Sequence, residues 1–381
     1  MTTQQRYDLI LRGGQVIDPS QGINGKRDVA ISRGKVAAVA QSLPADASSF
    51  NLDVSGKLVV PGLVDIHTHF YHKVMSLGAD PDTSFLPVGV TTAVDAGSSG
   101  WRTWGGLRDF VIAPSRIRLL AFVHLSGVGL LPPELTDMAQ IQVEDTADTI
   151  VADRQHLVGI KLRVTSPGGT GEANAIPALQ KARETADRAQ CKIMTHVGRS
   201  PIPLAQVVER LNPGDIMTHT FHGFDNTILD ERNRVRREMF QARERGVLFD
   251  VGHANVWFDA PITRAAIEQG FMPDTLSTDY TSQEGLRGRS RYMLTLLEVM
   301  STFLALGMPL DRVISAVTDR AAFAIGRAGQ FGSLKVGMPA DVAVLDLQDR
   351  PATYADNNGK TVEARQTFHQ VMTLKDGAKV A

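Results

Sequence analysis

Cysteine is nearly absent from this 381-residue chain, with Cys191 the single example. One thiol cannot form an intrachain disulfide or a thiolate metal cluster, which excludes a disulfide framework and suits a reducing compartment. An excess of charge is missing too: 40 Lys and Arg against 41 Asp and Glu leave a formal charge of -1. Such a balance offers no general attraction to nucleic acid or to an anionic membrane, so a small-molecule partner fits better. No apolar run approaches the roughly 18 residues that span a bilayer. The opening stretch MTTQQRYDLILRGGQVID lacks the basic segment, apolar stretch and small-residue cleavage site of a secretory signal. Together these absences point to a cytoplasmic location. What is present, 43% hydrophobic and 21% charged residues, is enough to build a sizeable core.

The first 60 residues alternate short β-rich runs with glycine turns, at Leu9 to Val16, Asp28 to Ile31, Lys35 to Ala40 and Lys57 to Val60. The last 50 residues resume that style with GSLKVGMPADVAVLDL and further β-like runs between Gln366 and Leu374. Between them, eight apolar or β-branched runs recur: Leu63 to Ile66, Thr91 to Val94, Arg118 to Val123, Gly159 to Leu162, Lys192 to Thr195, Ile216 to Thr218, Val247 to Val251 and Thr275 to Thr278. Intervening stretches such as IPALQKARETADRAQ show 3.6-residue amphipathic spacing. Strands alternating with helices imply a parallel sheet, and eight units suggest a closed (β/α)8 barrel, a TIM barrel of the α/β class. The expected organisation is a barrel over residues 61–329 and a small β-sandwich made from residues 1–60 together with 330–381.

Nearly every candidate strand ends in a polar or metal-competent residue. His67 and His69 end the first, His124 the third, His196 the fifth, His219 the sixth, His253 the seventh and Asp279 the eighth, while the fourth carries Lys161. Barrel topology gathers strand C-termini at one rim, where active sites form. His67 and His69 are two residues apart on a strand, so both imidazoles project to one side and can chelate one cation. Alone, such a pair could be two ordinary strand-end histidines. Asp279 could equally cap the following turn, and Lys161 could pair with a barrel carboxylate.

The segment PGLVDIHTHF resembles the signature of the amidohydrolase superfamily, and GSLKVGMPADVAVLDL resembles its C-terminal signature. The two bracket the barrel, so the resemblance spans the chain and implies a barrel with a β-sandwich from both ends. The superfamily's binuclear branch uses HxH, a carboxylated lysine at the end of strand four, histidines after strands five and six, and an aspartate after strand eight. The resemblance therefore implies that His67, His69 and Asp279 hold one divalent metal and His196 and His219 the other, with Lys161, as N6-carboxylysine formed with CO2, bridging them. His222, three residues past His219, competes for the same ligand role. A carbamate suits the bridge because it supplies two anionic oxygens able to span metals roughly 3.5–4 Å apart. The implied chemistry is zinc-type hydrolysis, in which a bridging hydroxide, acidified toward a pKa of about 7 by the dications, attacks a carbonyl. Asp279 is the implied general acid/base.

Substrate is less legible. Dihydroorotases carry an arginine two places beyond HxH to grip the substrate carboxylate, and this chain has Tyr71 there. The chain is also shorter than hydantoinases and dihydropyrimidinases. The resemblance is then closest to a deacetylase-like subgroup that removes acyl groups from small molecules, through an amide or ester bond, with a cyclic amide hydrolase as the alternative. A non-catalytic scaffold of the same fold is disfavoured because no ligand position is lost. Arg163, two residues past Lys161, is a candidate grip for a substrate carboxylate, with Arg287 and Arg289 as competitors. Tyr71 and His253 are further candidate substrate contacts, and His124 and His253 could instead support the ligands. Gly97-Ser98-Ser99-Gly100 reads as a rim loop, flexible or lining the ligand. Self-association into a homo-oligomer is expected from the resemblance.

Overall fold

A computed structural model describes residues 7–48, 50–282 and 293–381. Arg287 and Arg289 lie outside the described residues.

Seven parallel strands form the barrel wall: Leu63–Thr68, Val90–Gly100, Arg118–His124, Leu157–Arg163, Lys192–His196, Ile216–Thr218 and Leu248–Phe249, each paired with the next. The eighth run, Thr275 to Thr278, is too irregular to count as a strand, but it takes the eighth place. Val251 and His253 donate to the carbonyls of Thr275 and Ser277 on one side, and Asp279 donates to the carbonyl of His67 (2.8 Å) on the other. His69 in turn donates to the Tyr280 carbonyl at 2.9 Å, so the wall is closed.

Side-chain alternation sorts each strand between two environments. Leu120, Phe122, Met194, Ile216 and Leu248 point inward and pack with Val64, Ile66, Val94 and Ala96. The helix Asp319–Ala324 and Phe331 plug this inner core from below. Leu119, Ala121, Val123, Ile193 and Met217 face outward to the helices. The helix Ala175–Ala189 shows the matching logic, burying Ala175, Ala178, Leu179, Ala182, Ala186 and Ala189 at three- and four-residue spacing. One more step of the inward parity brings His124 above Phe122, His196 above Met194, Thr218 above Ile216 and Asp250 above Leu248. The first strand obeys a different rule: its pairing with the second slips between Asp65 and Thr68, and His67 follows Ile66 into the interior.

The chain ends build an eight-stranded sheet, in which Leu58–Pro61 joins Leu9–Asp18 on one side to Val342–Gln348 on the other. It is buried on both faces: Val59, Val342 and Val344 pack with Leu11, Val29 and Ile31, while Val60, Ala343 and Leu345 pack toward the barrel core. One expectation changes. The second strand runs through Gly100, so Gly97 to Gly100 are buried strand residues and not a flexible loop. Among the described residues no helix is long and apolar enough to cross a membrane.

The closing seam hangs on Asp65. Its fully buried carboxylate accepts from the Thr278 hydroxyl (2.6 Å), the Thr278 N–H and the His67 N–H (both 3.2 Å). Asp65→Ala strands three donors between the first and eighth runs, and the expected loss is about 3 kcal/mol or more of unfolding free energy in a denaturant titration; a loss below about 1 kcal/mol would show the seam is held elsewhere.

Candidate metal centre

The six expected ligand residues converge. His67 Nε2 and His69 Nε2 lie 3.3 and 3.0 Å from the same oxygen, Oδ1 of Asp279. His219 Nε2 lies 3.9 Å from Asp279 Oδ2 and is buried without a hydrogen-bond partner among the described residues. The His219 ring is 4.9 Å from that of His67 and 4.1 Å from that of His196. Lys161, 1% exposed, brings Nζ to 2.9 Å from His67 Nε2. His67, His69 and Asp279 place ligand atoms within 4.8 Å of one another.

The other ring nitrogens are turned away and occupied. Nδ1 of His67 meets the Thr218 hydroxyl at 2.9 Å, Nδ1 of His69 meets the Ser98 hydroxyl at 2.9 Å, and Nδ1 of His219 donates to the Gly252 carbonyl at 2.6 Å. His196 is reversed, with Nε2 donating to the Gly198 carbonyl at 3.2 Å, which leaves its Nδ1 for a cation. A ring nitrogen tied outward and its partner aimed into a shared centre is how metal-binding histidines are oriented. The donor set of imidazoles and a carboxylate therefore fits a divalent cation.

Burial decides the protonation. It pushes the imidazoles of His67, His196 and His219 well below their ordinary value, so each is neutral near pH 7 and keeps the lone pair that coordination needs. Burial also pulls the Lys161 ammonium down to about 7, against the attraction of Asp279. A lysine partly neutral at physiological pH can attack CO2, whereas an ammonium cannot.

Two residues of the cluster sit on backbone that side chains rarely adopt, His219 at φ 62° and Asp279 at φ 50°. His219 lies just past the end of the sixth strand and Asp279 just past the irregular eighth run, and the left-handed turn redirects a side chain that plain alternation would aim elsewhere. Gly97, at φ 85°, lies against Lys161: a Cβ there would meet Lys161 Cβ at 2.6 Å. Only glycine lets the second and fourth strands approach so closely. Ser98 and Gly97, read from sequence as rim loop, thus support the centre.

The remaining candidates fare differently. His222 is buried and its Nδ1 accepts from the Phe224 N–H at 3.2 Å, outside the cluster that His219 joins. Arg163 is already engaged, with Nη1 at 3.0 and 2.8 Å from the two oxygens of Glu134, which also faces His124 Nε2 at 3.2 Å. Burial alone would raise the Glu134 carboxyl, yet the His124 hydrogen bond and the Arg163 charge bring it down to about 2. Arg163, expected as a grip for a substrate carboxylate, thus shares its charge with Glu134 through Nη1. Tyr71, another expected substrate contact, has its hydroxyl donating to the Thr103 carbonyl at 3.2 Å and its ring in the core beside Gly106. His253 is stacked on Phe258 with ring centroids 4.3 Å apart, and its Nδ1 accepts from the Asn255 N–H. Sequence reasoning missed Trp257, edge-on to His196 at 4.8 Å and tilted over His219 at 5.2 Å. It also missed Glu134, Thr218 and Asp250, whose types carry no motif.

Residues 259–380 match the amidohydrolase family. A deacetylase of Agrobacterium fabrum is 34% identical over 345 residues, covering 88% of this chain and 82% of that protein. Among solved structures, an adenine deaminase superposes with a TM-score of 0.88 at 27% identity, covering 98% of this chain and 99% of that one. A dihydroorotase follows with a TM-score of 0.85 at 29% identity, covering 98% and 97%. With its closed barrel, its buried cluster of histidines, lysine and aspartate, and this likeness along nearly its full length, the chain belongs to the amidohydrolase family, metal-dependent hydrolases acting on C–N bonds.

Proposed function

We propose that this protein is a binuclear deacetylase-like hydrolase that releases an acyl group from an amide or ester of a small acid. The observation that carries the reading is the meeting of His67, His69 and Asp279 at one carboxylate oxygen, with Lys161 Nζ 2.9 Å from His67 Nε2. His67, His69 and Asp279 would hold one zinc-type ion, His196 and His219 the second, and Lys161, as a carbamate, would join them. When bound, the ions supply Lewis acidity toward the scissile carbonyl and toward water.

The chain's own residues do the rest. Asp279 is the one carboxylate in the cluster with both oxygens toward histidines. It can take the proton from the attacking water and return it to the departing amine or alkoxide, a role that needs a base within hydrogen-bond reach. Trp257, half-buried over His196 and His219, shields the ligand side of the site from solvent. Tyr71 offers no cationic grip of the kind a dihydroorotase places at that position, and Arg163 is neutralised by Glu134. Tyr71, standing where a dihydroorotase carries its arginine, supports an open-chain acyl substrate over dihydroorotate.

Protein expressed with zinc and bicarbonate is expected to carry close to two equivalents of divalent metal by elemental analysis. Lys161→Ala should retain at most about one equivalent and lose about a thousandfold or more in kcat/KM; a variant that kept both metals and full activity would remove the bridge assignment. Gly97→Ala, which imposes about 1–3 kcal/mol of backbone strain and a clash on Lys161, should lower both metal content and melting temperature, and an unchanged metal content would free Lys161 from dependence on Gly97. In a side-by-side assay of N-acetyl amino acids of both hands, acetylated hydroxy acids, dihydroorotate and hydantoins, the acetylated compounds should be turned over fastest; preference for the rings would reverse the substrate assignment.

A further inference from the structure

Asp250 is fully buried just past the end of the seventh strand. Its Oδ1 accepts from the hydroxyls of Thr275 (2.7 Å) and Ser277 (2.9 Å), and its Oδ2 from the hydroxyls of Thr218 (2.6 Å) and Ser277 (2.8 Å). Each hydroxyl has one proton to give, and those of Thr218 and Ser277 are spent on Asp250. What the two oxygens present on their other side is therefore a lone pair.

That constraint propagates along two branches. Thr218 Oγ1 meets His67 Nδ1 at 2.9 Å, so His67 must supply the proton there, and the lone pair of the ring falls on Nε2, which faces Asp279 and Lys161. The direct distance from His67 Nδ1 to Asp250 Oδ2 is 3.7 Å, too long for a hydrogen bond, and the threonine hydroxyl relays between them. On the second branch Ser277 Oγ accepts the Gly252 N–H at 3.0 Å, and the Gly252 carbonyl accepts Nδ1–H of His219 at 2.6 Å. Gly252 has no room for a side chain: a Cβ on it would lie 2.6 Å from both His219 Nδ1 and Thr218 Oγ1.

We infer that Asp250 is a positioning residue for two histidines on opposite branches: it sets the tautomer of His67 through Thr218, and it fixes the aim of His219 through Ser277 and Gly252. One carboxylate thereby presents two ε nitrogens to the same centre. The inference rests on the proposal that His67 and His219 are metal ligands, and it adds a residue in contact with neither metal nor substrate.

The test separates orientation from mere stitching of strands. Thr218→Val keeps the shape and leaves Asp250 bonded to Thr275 and Ser277, but removes the relay to His67. Thr218→Ser restores the hydroxyl. Zinc affinity of the full chain is measured by competition with a chromophoric chelator, and the histidine tautomers by nitrogen-15 NMR of the metal-free protein. Thr218→Val should weaken zinc binding about tenfold to hundredfold, with the Nδ1–H signature of His67 lost, while Thr218→Ser stays within about threefold of the parent. Ser277→Ala should disturb the His219 signal and leave that of His67 in place, which keeps the test open if Asp250→Asn does not fold. Zinc affinity of Thr218→Val within about twofold of the parent, with His67 still protonated on Nδ1, would overturn the inference and leave the metal centre standing. A parent chain that bound no zinc would overturn both.

Discussion

The backbone bonds that join the last strand position to the first hold the rest of this structure together. Asp279 donates to the carbonyl of His67 and His69 donates to the carbonyl of Tyr280. These two bonds close the barrel, and the same residues carry the side chains that meet at the centre. Closure and assembly of the site are one event, because a ligand contributed at the start of the barrel and one contributed some 210 residues later become neighbours only when the wall is complete. Asp65, bonding across the same seam to Thr278, reinforces it from within.

A centre built this way concentrates polar groups where water cannot reach them, which is costly unless every group is matched. The matching here is by layers. The imidazoles of His67, His196 and His219 are held neutral by burial, and the outward nitrogens of the four histidines are bound by Thr218, Ser98, the Gly252 carbonyl and, for His196, the Gly198 carbonyl. Carboxylates behind them are in turn saturated: Asp250 by three hydroxyls, and Asp95 by the N–H groups of Phe70 and Ser98. Burial raises the carboxyl of Asp65 to about 7 and that of Asp250 upward, with their hydrogen bonds opposing the shift. The inward-facing nitrogens are the atoms left over, and their convergence is what makes the cluster a cation site.

Much of that arrangement was legible in the chain. HxH after an apolar run marks His67 and His69, the two-residue period of a strand puts His124 above Phe122 and His196 above Met194, and the resemblance located Lys161, His219 and Asp279. The eight strand positions follow from recurring apolar runs, and even the irregular eighth sits where its run predicts. The choice of His219 over His222 was open until the turn at φ 62° was seen to carry one ring into the cluster.

What escaped the sequence were partnerships among residues far apart in the chain. Arg163 reads as a free cation beside Lys161, but Glu134, 29 positions earlier, folds back to cancel it. Tyr71 shares the rim with His69 in sequence, yet its hydroxyl turns to Thr103. Gly97 to Gly100 has the composition of a loop and is buried strand, because the neighbouring strands press too close for any side chain at Gly97. The sequence by itself determined the barrel, the chain-end sheet and which residue types line the rim, since these depend on local periodicity and a short motif. Only the tertiary structure decided which nitrogen of each histidine faces inward and which charges are already spent, because those depend on hydrogen bonds between strands whose meeting no local pattern encodes.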